Sequence, residues 1–215
     1  MTSLEEDALN NIIDVSLIKK PVLFVDLGSH VGGSVTWALK RYKNNLYRIH
    51  AFEPLKENFS ELEKLHGNNP LVTLHNKAAW LRDEIKQFYT QTWGARTGSS
   101  LIVGKSSTSL NVYVEMECFN LSEWILNNMD NSKYHTILKM DIEGAEFEVI
   151  PHIFIKNAEK FIDEWFIEWH LPKSPNSNQK TIDFFNEKIN KWVNWGHMGA
   201  VIEKEIDPKI IAKYT

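Results

Sequence analysis

Ile137-Leu138-Lys139-Met140-Asp141-Ile142-Glu143-Gly144-Ala145-Glu146-Phe147-Glu148-Val149-Ile150 is the stretch that decides how this chain folds. A short apolar run ends in a carboxylate, a second carboxylate follows two residues later, and a glycine opens a segment of helical character. Acids gathered at the C-terminal edge of a strand are costly to place there for structure alone. In open α/β sheets that edge is where ligands bind. A second strand–loop–helix, over 22–35, carries a glycine-rich turn far upstream. The two segments together predict a two-part site.

Working outward, strand and helix alternate through the first half. Apolar residues at 4, 8, 9, 12, 13 and 17 predict a leading amphipathic helix over 4–18, ended by Pro21. A buried strand is expected over 22–26 and a helix over 33–42. A second strand at 46–52 is followed by a helix from Pro54 to about 66, and a third strand by 71–74. Strands alternating with helices of this length imply βαβ units and a parallel sheet, an α/β fold. After the third strand the pattern changes: 85–90 and 111–118 alternate like strands around a Gly/Ser/Thr-rich loop over 94–108, a small polar insertion. A helix at 121–128, capped by Asn120 or Ser122, precedes the fourth parallel strand at 135–140 and a helix over 143–154. A fifth strand at 163–169, a polar loop at 172–180 and an amphipathic helix over 181–195 follow. The segments 200–206 and 209–214 are expected to close the sheet as an antiparallel pair.

Composition narrows the function classes. At 215 residues the chain fits one domain, large enough to bury about 70% of its unfolded surface. A net charge of −4 gives no electrostatic footprint for nucleic acid. The one cysteine, Cys118, excludes an internal disulfide and a Cys-based zinc site. No apolar run reaches the roughly 20 residues of a membrane span. The first ten residues are acidic and polar, unlike a signal peptide, and a cytoplasmic location is expected.

Three motifs carry the chemistry. Val25-Asp26-Leu27-Gly28-Ser29-His30-Val31-Gly32-Gly33 joins a strand to a helix. Gly28 permits a sharp turn, and Gly32 and Gly33 permit close approach of backbone to a ligand or of helix to sheet. The helix N-terminal amides would then favour an anionic group. His30 interrupts the Gly-x-Gly-x-x-Gly of dinucleotide folds, which argues against a pyrophosphate on the loop. Ala51-Phe52-Glu53-Pro54 ends the second strand with an acid, suited to the hydroxyls of a ribose; its plain alternative is a helix N-terminal glutamate. The third motif is the opening stretch.

In this order and spacing, Asp26-x-Gly28-x-x-x-Gly32, Phe52-Glu53-Pro54 and the Asp141-x-Glu143-Gly144-Ala145-Glu146 block resemble the FkbM family of S-adenosylmethionine-dependent methyltransferases, over roughly residues 20–170. The resemblance implies a class I methyltransferase fold: a Rossmann-like, mostly parallel seven-stranded sheet with helices on both faces. It implies one domain over 1–215, with a leading helix (1–20), a cofactor-binding core (21–170) and a C-terminal helix with closing strands (171–215). It assigns Gly28, Ser29, His30 and Gly32 to the methionine part of S-adenosylmethionine, with Asp26 organising that loop and facing the cofactor's amino group. Glu53 would hold the ribose, and 76–80, Ala79 included, would pass the adenine. The implied reaction is methylation of a hydroxyl on a sugar, glycan or other small acceptor.

An alcohol has a pKa of about 16, near that of water, so it needs a base or a metal to lose its proton at neutral pH. Asp141 ends the fourth strand, and His170 ends the fifth beside it. One of the two is expected to accept the proton and the other to orient the acceptor. In a variant, Asp141, Glu143 and His170 hold a divalent ion, Mg²⁺ or Mn²⁺. The plain alternative for His170 is a strand end with a satisfied imidazole, and Glu148 reads as a solvated helix face. Trp165 and Trp192 are expected in the core, with Trp169 and Trp195 left open between core and sugar contact. Arg96, Ser99 and Ser100, in the polar insertion, sit where acceptor contacts are expected.

Two rival readings come from other classes. A nicotinamide-dependent oxidoreductase or epimerase would share the βαβ sheet, but His30 breaks its fingerprint. Its Tyr-x-x-x-Lys pair is missing too, with Leu46, Trp93 and Leu138 four residues after Tyr42, Tyr89 and Tyr134. A non-catalytic interaction module is the other; the intact Asp26, Glu53 and Asp141 speak against it.

Overall fold

Val22–Leu27 (β1) is buried at all six positions, as a strand covered on both faces must be. The computed structural model describes residues 12–90, 98–104, 111–171, 177–189 and 192–196. β1 pairs in parallel with Leu46–Phe52 (β2) on one side and with His135–Met140 (β7) on the other. Val72–His75 (β3) extends the sheet beyond β2, and Glu164–Ile167 (β8) and Trp192–Asn194 (β9) extend it beyond β7. The order β3-β2-β1-β7-β8-β9 is parallel throughout. After β3 the chain returns to the far side of β1, so strand order reverses between β1 and β7. The turns leaving those two strands therefore lie side by side, where ligands enter such sheets.

Successive side chains of β1 feed opposite cores. Leu23, Val25 and Leu27 pack with Leu138, Met140, Trp165 and Ile167 on one face. Val22 and Phe24 pack with Ile137, Phe166 and Val193 on the other. The second face is covered by Gly33–Arg41 (α1), through Val35, Trp37 and Ala38, and by Lys56–His66 (α2), through Leu62. The first is covered by Leu121–Asn128 (α3), Glu146–Ile155 (α4) and Gln179–Lys188 (α5). A second sheet also packs there: Ala78–Trp80 (β4), Glu84–Tyr89 (β5) and Tyr113–Asn120 (β6), in the order β4-β6-β5. Its strands β5 and β6 fall where strand-like alternation was read after β3, and β4 is a strand that the sequence pattern did not show.

Several expectations are corrected. The segment 181–195 is not one helix: α5 stops at Lys188, and Trp192–Asn194 joins the sheet as β9, parallel to β8. Burial of Val193 and Trp195 against Phe166 and Trp37 outweighs helical spacing there. In the leading segment, Val15–Leu17 forms only a single 3₁₀ turn, capped by the Asp14 carboxylate on the Ser16 N–H. Residues 1–11 lie outside the described residues. α4 begins at Glu146 rather than 143, because Glu143 (φ 58°) and Gly144 (φ 104°) are left-handed. Six strands form the main sheet among the described residues; the expected antiparallel pair at 200–206 and 209–214 lies outside them, as does Arg96. Trp165 and Trp195 are buried, and Trp192 and Trp169 pack against the core edge. Among the described residues no helix is long and apolar enough to cross a membrane.

Candidate active site

The turn after β1 is shaped by contact with the turn after β7. Gly28 has φ 77°, and a Cβ on it would stand 1.9 Å from the carbonyl oxygen of Asp141. Only glycine fits, by conformation and by space. The Gly28 and Ser29 N–H groups both donate to the Phe52 carbonyl at 3.0 Å, and Gly32 N–H donates to Ser29. His30, left-handed at φ 50°, donates its N–H to Glu53 Oε2 at 2.9 Å. These four N–H groups are spent inside the protein.

A buried ion pair lies beneath both turns. Asp26 is fully buried, with Lys139 Nζ 3.0 Å from Oδ1 and the Ser34 hydroxyl donating to Oδ2. The Lys139 ammonium also donates to the carbonyls of Leu27 (3.2 Å) and Gly28 (2.7 Å) and lies 3.7 Å from Asp141 Oδ2. The Trp195 ring covers it, 5.5 Å from Nζ to centroid. Burial pulls its pKa down, but Asp26 and Asp141 outweigh that and leave it raised. Lys139 thus ties the turn after β1 to the turn after β7. A lone lysine inside an apolar strand was a signal in the sequence, since a buried ammonium must have a partner.

Glu53 ends β2 with its carboxylate almost fully buried. Oε1 accepts from Leu55 N–H (2.9 Å) and from Asn58 (3.4 Å), and Oε2 accepts from His30. Burial dominates and pushes its pKa up to about 7, against the lowering effect of these donors.

On the β7 side, Glu146 is fully buried and holds the turn together. Its carboxylate accepts the Ile142 N–H (2.8 Å) and the Gly144 N–H (2.7 Å). His170 Nδ1 lies 3.1 Å from Glu146 Oε1, and since an ionised carboxylate only accepts, Nδ1 donates. The opposite nitrogen, Nε2, is turned toward Glu143 Oε2 (3.4 Å), Asp141 Oδ1 (3.7 Å) and Glu168 Oε1 (3.7 Å). Burial lowers the imidazole's pKa, but Glu146, Glu143 and Asp141 together push it up to about 9. Burial, and Asp141 next, raise that of Glu168. Glu146 and Glu168 had no role in the sequence reading. The signal for Glu146 was the last acid of the Asp141–Glu146 block, whose inward direction depends on where α4 starts.

One cleft, with about 820 Å³ of empty space including its mouth, gathers much of this. Gly28, His30, Glu53, Ala79, Asp141 and Glu143 all line it. Asp26, Ser29, Gly32 and His170 are not on its wall. Asp26 faces Lys139, the Ser29 hydroxyl donates to the Asp26 carbonyl (3.2 Å), and Gly32 packs against Leu62 and His66. The apolar wall adds Ala78, Phe88 and Leu101, and Ser99 also borders the space. Ser100 is buried and donates to the Glu143 carbonyl at 2.7 Å, which holds the insertion against the β7 turn.

Among curated proteins, none matches the chain. The crystal structure of an FkbM methyltransferase from Methylobacillus flagellatus KT aligns with 17% identity and a TM-score of 0.39, over 73% of this chain and 36% of that one. That of a proposed S-adenosylmethionine-dependent methyltransferase from Listeria monocytogenes aligns with 20% identity and a TM-score of 0.25, over 34% of this chain and 30% of that one. The aligned part is thus about a third of either protein. The family model of the methyltransferase FkbM domain matches residues 26–194, from the Asp26 turn through β9, and by that match the chain belongs to the FkbM methyltransferase family.

Proposed function

We propose that the chain is an S-adenosylmethionine-dependent O-methyltransferase acting on a hydroxyl of a glycan or other small acceptor. The observation that carries this reading is one cleft with Glu53 and the Gly28–His30 turn on one side and the Asp141–Glu143 turn on the other. The residues present fit the cofactor. Glu53 is a buried carboxylate that retains acceptor capacity beyond its N–H donors, and a ribose diol supplies two O–H donors. The wall of Ala78, Ala79, Phe88 and Leu101 suits the flat face of an adenine. Gly28 and His30 border the methionine end, and Asp26, Ser29 and Gly32 shape that turn from behind.

S-adenosylmethionine, when bound, supplies a methyl group activated by its sulfonium. The protein's part is to hold the acceptor oxygen in line with that methyl and to relieve it of its proton. Asp141 is the residue we assign to the acceptor hydroxyl. It lines the cleft with its side chain 27% exposed, whereas His170 is 3% exposed and stands behind it. Glu146 and His170 hold Asp141 and Glu143 in position.

Calorimetric titration with S-adenosylhomocysteine and, separately, with NAD⁺ tests the reading. The expected result is binding of S-adenosylhomocysteine alone, lost in Glu53→Ala. Asp141→Asn should keep that binding while losing turnover in an acceptor screen. Binding of neither nucleotide would sink the enzyme assignment and favour an interaction module.

A further inference from the structure

We infer that Asp141, Glu168 and His170 form a site for one divalent cation, beside the cleft, with Mn²⁺ as the ion that suits it best. One ligand atom from each of these residues lies within 4.8 Å of the other two. Asp141 follows β7, and Glu168 and His170 follow β8, so two adjacent parallel strands deliver all three to one edge. An ion about 2.1 Å from each ligand needs neighbouring ligands roughly 3–4 Å apart. His170 Nε2 is already 3.7 Å from both Asp141 Oδ1 and Glu168 Oε1, within that spacing.

The imidazole is the independent observation. His170 is 3% exposed, and its Nδ1 is committed to the buried Glu146, which fixes the ring and aims Nε2 into the carboxylates. Among the described residues, the carboxylate oxygens near Nε2 lie at 3.4–3.7 Å, longer than a normal N–H···O bond. A carboxylate behind a histidine whose other nitrogen is presented to acids is how metal-ligating imidazoles are held. Charge points the same way. Asp141, Glu143, Glu146 and Glu168 all face this one ring. Lys139 is engaged by Asp26 and by the other oxygen of Asp141. Of the four acids, Glu146 is fully buried, while the side chains of Asp141, Glu143 and Glu168 are 27%, 18% and 35% exposed and so can be reached by an ion from solvent.

The ligand set differs from the trio the sequence offered, because Glu168 replaces Glu143. Glu143 sits on the left-handed turn and lines the cleft instead. One imidazole nitrogen with two carboxylates suits Mn²⁺ better than Mg²⁺, which favours all-oxygen surroundings with several waters. The remaining coordination positions border the cleft through Asp141, and so suit an acceptor with adjacent oxygens. That last step rests on the methyltransferase reading; the ion site does not.

The experiment uses the metal-free full chain with neither cofactor nor acceptor. MnCl₂ is added and free Mn²⁺ is followed by electron paramagnetic resonance, with spin-echo modulation reporting any directly bound imidazole nitrogen. The expected result is one ion per chain with nitrogen modulation. Affinity should fall about tenfold or more in Glu168→Gln and in Glu146→Gln, and stay nearly unchanged in Glu115→Gln on the exposed side of β6. Thermal melts of each variant establish that it folds. No stoichiometric uptake by the wild type, uptake without nitrogen modulation, or full affinity in a folded Glu168→Gln each overturns the site. S-adenosylhomocysteine titrated into the same samples separates the two ideas. Its binding without Mn²⁺ uptake removes only the ion, and Mn²⁺ uptake without it removes only the cofactor reading.

Discussion

Glu53 shows how much a single buried carboxylate can be made to do. Its folded-state pKa is raised by burial to about 7 from an ordinary 4.5. The folded chain therefore holds a proton that the unfolded chain has lost across that window. The stability this group contributes is full below about pH 4.5 and is lost as pH rises through about 7. Urea unfolding between pH 4.5 and 8 should show this decline, and Glu53→Gln should flatten it. At this scale the sequence was legible where chemistry and geometry coincide in one residue type. Gly28 stands where a left-handed turn meets a backbone carbonyl, and Glu53 stands at a strand end facing the cleft. Glu146 and Lys139 were harder to read. Their roles depend on partners brought close only by the sheet, such as His170 and Asp26.

At the scale of elements, β9 is the instructive case. Ile182, Phe185, Ile189 and Val193 continue a three-to-four-residue spacing, so periodicity runs across the end of α5 without a break. What ends the helix is the vacant edge of β8, which takes Trp192–Asn194 as a partner and turns Val193 into the core. Such a partner is invisible to a local pattern. Val193→Ala should cost about 2 kcal/mol by lost burial and the cavity left behind. Were 181–195 a helix, alanine's better propensity would offset part of that loss. Guanidinium unfolding of the variant, with near-ultraviolet dichroism reporting the packing of Trp195, checks the difference. The small sheet was half legible: β5 and β6 alternate, whereas the three residues of β4 are too few to show a period.

Across the whole molecule, the βαβ alternation implied a parallel sheet, whereas the strand order, with its switch between β1 and β7, is seen only in the structure. The device that locks the switch was not implied. Lys139 holds Asp26, the Leu27 and Gly28 carbonyls and one side of Asp141 in a single grip. Lys139→Met leaves the Asp26 carboxylate buried without its cation and should cost about 3–5 kcal/mol. Adding Asp26→Asn should recover much of that in chemical denaturation. Neither variant removes a cleft-lining side chain, so any loss of S-adenosylhomocysteine binding in the double variant would report slippage between the two turns. The Trp195 indole, set over that ammonium and against Trp37 and Phe166, also gives the chain a schedule. A ribosome delivers every residue on the cleft wall by Ala145, long before it delivers this roof. A nascent chain paused near residue 190 would carry both turns and their shared lysine, with one flank of that lysine still open to water. The grip beneath the two turns is drafted early in synthesis and roofed late.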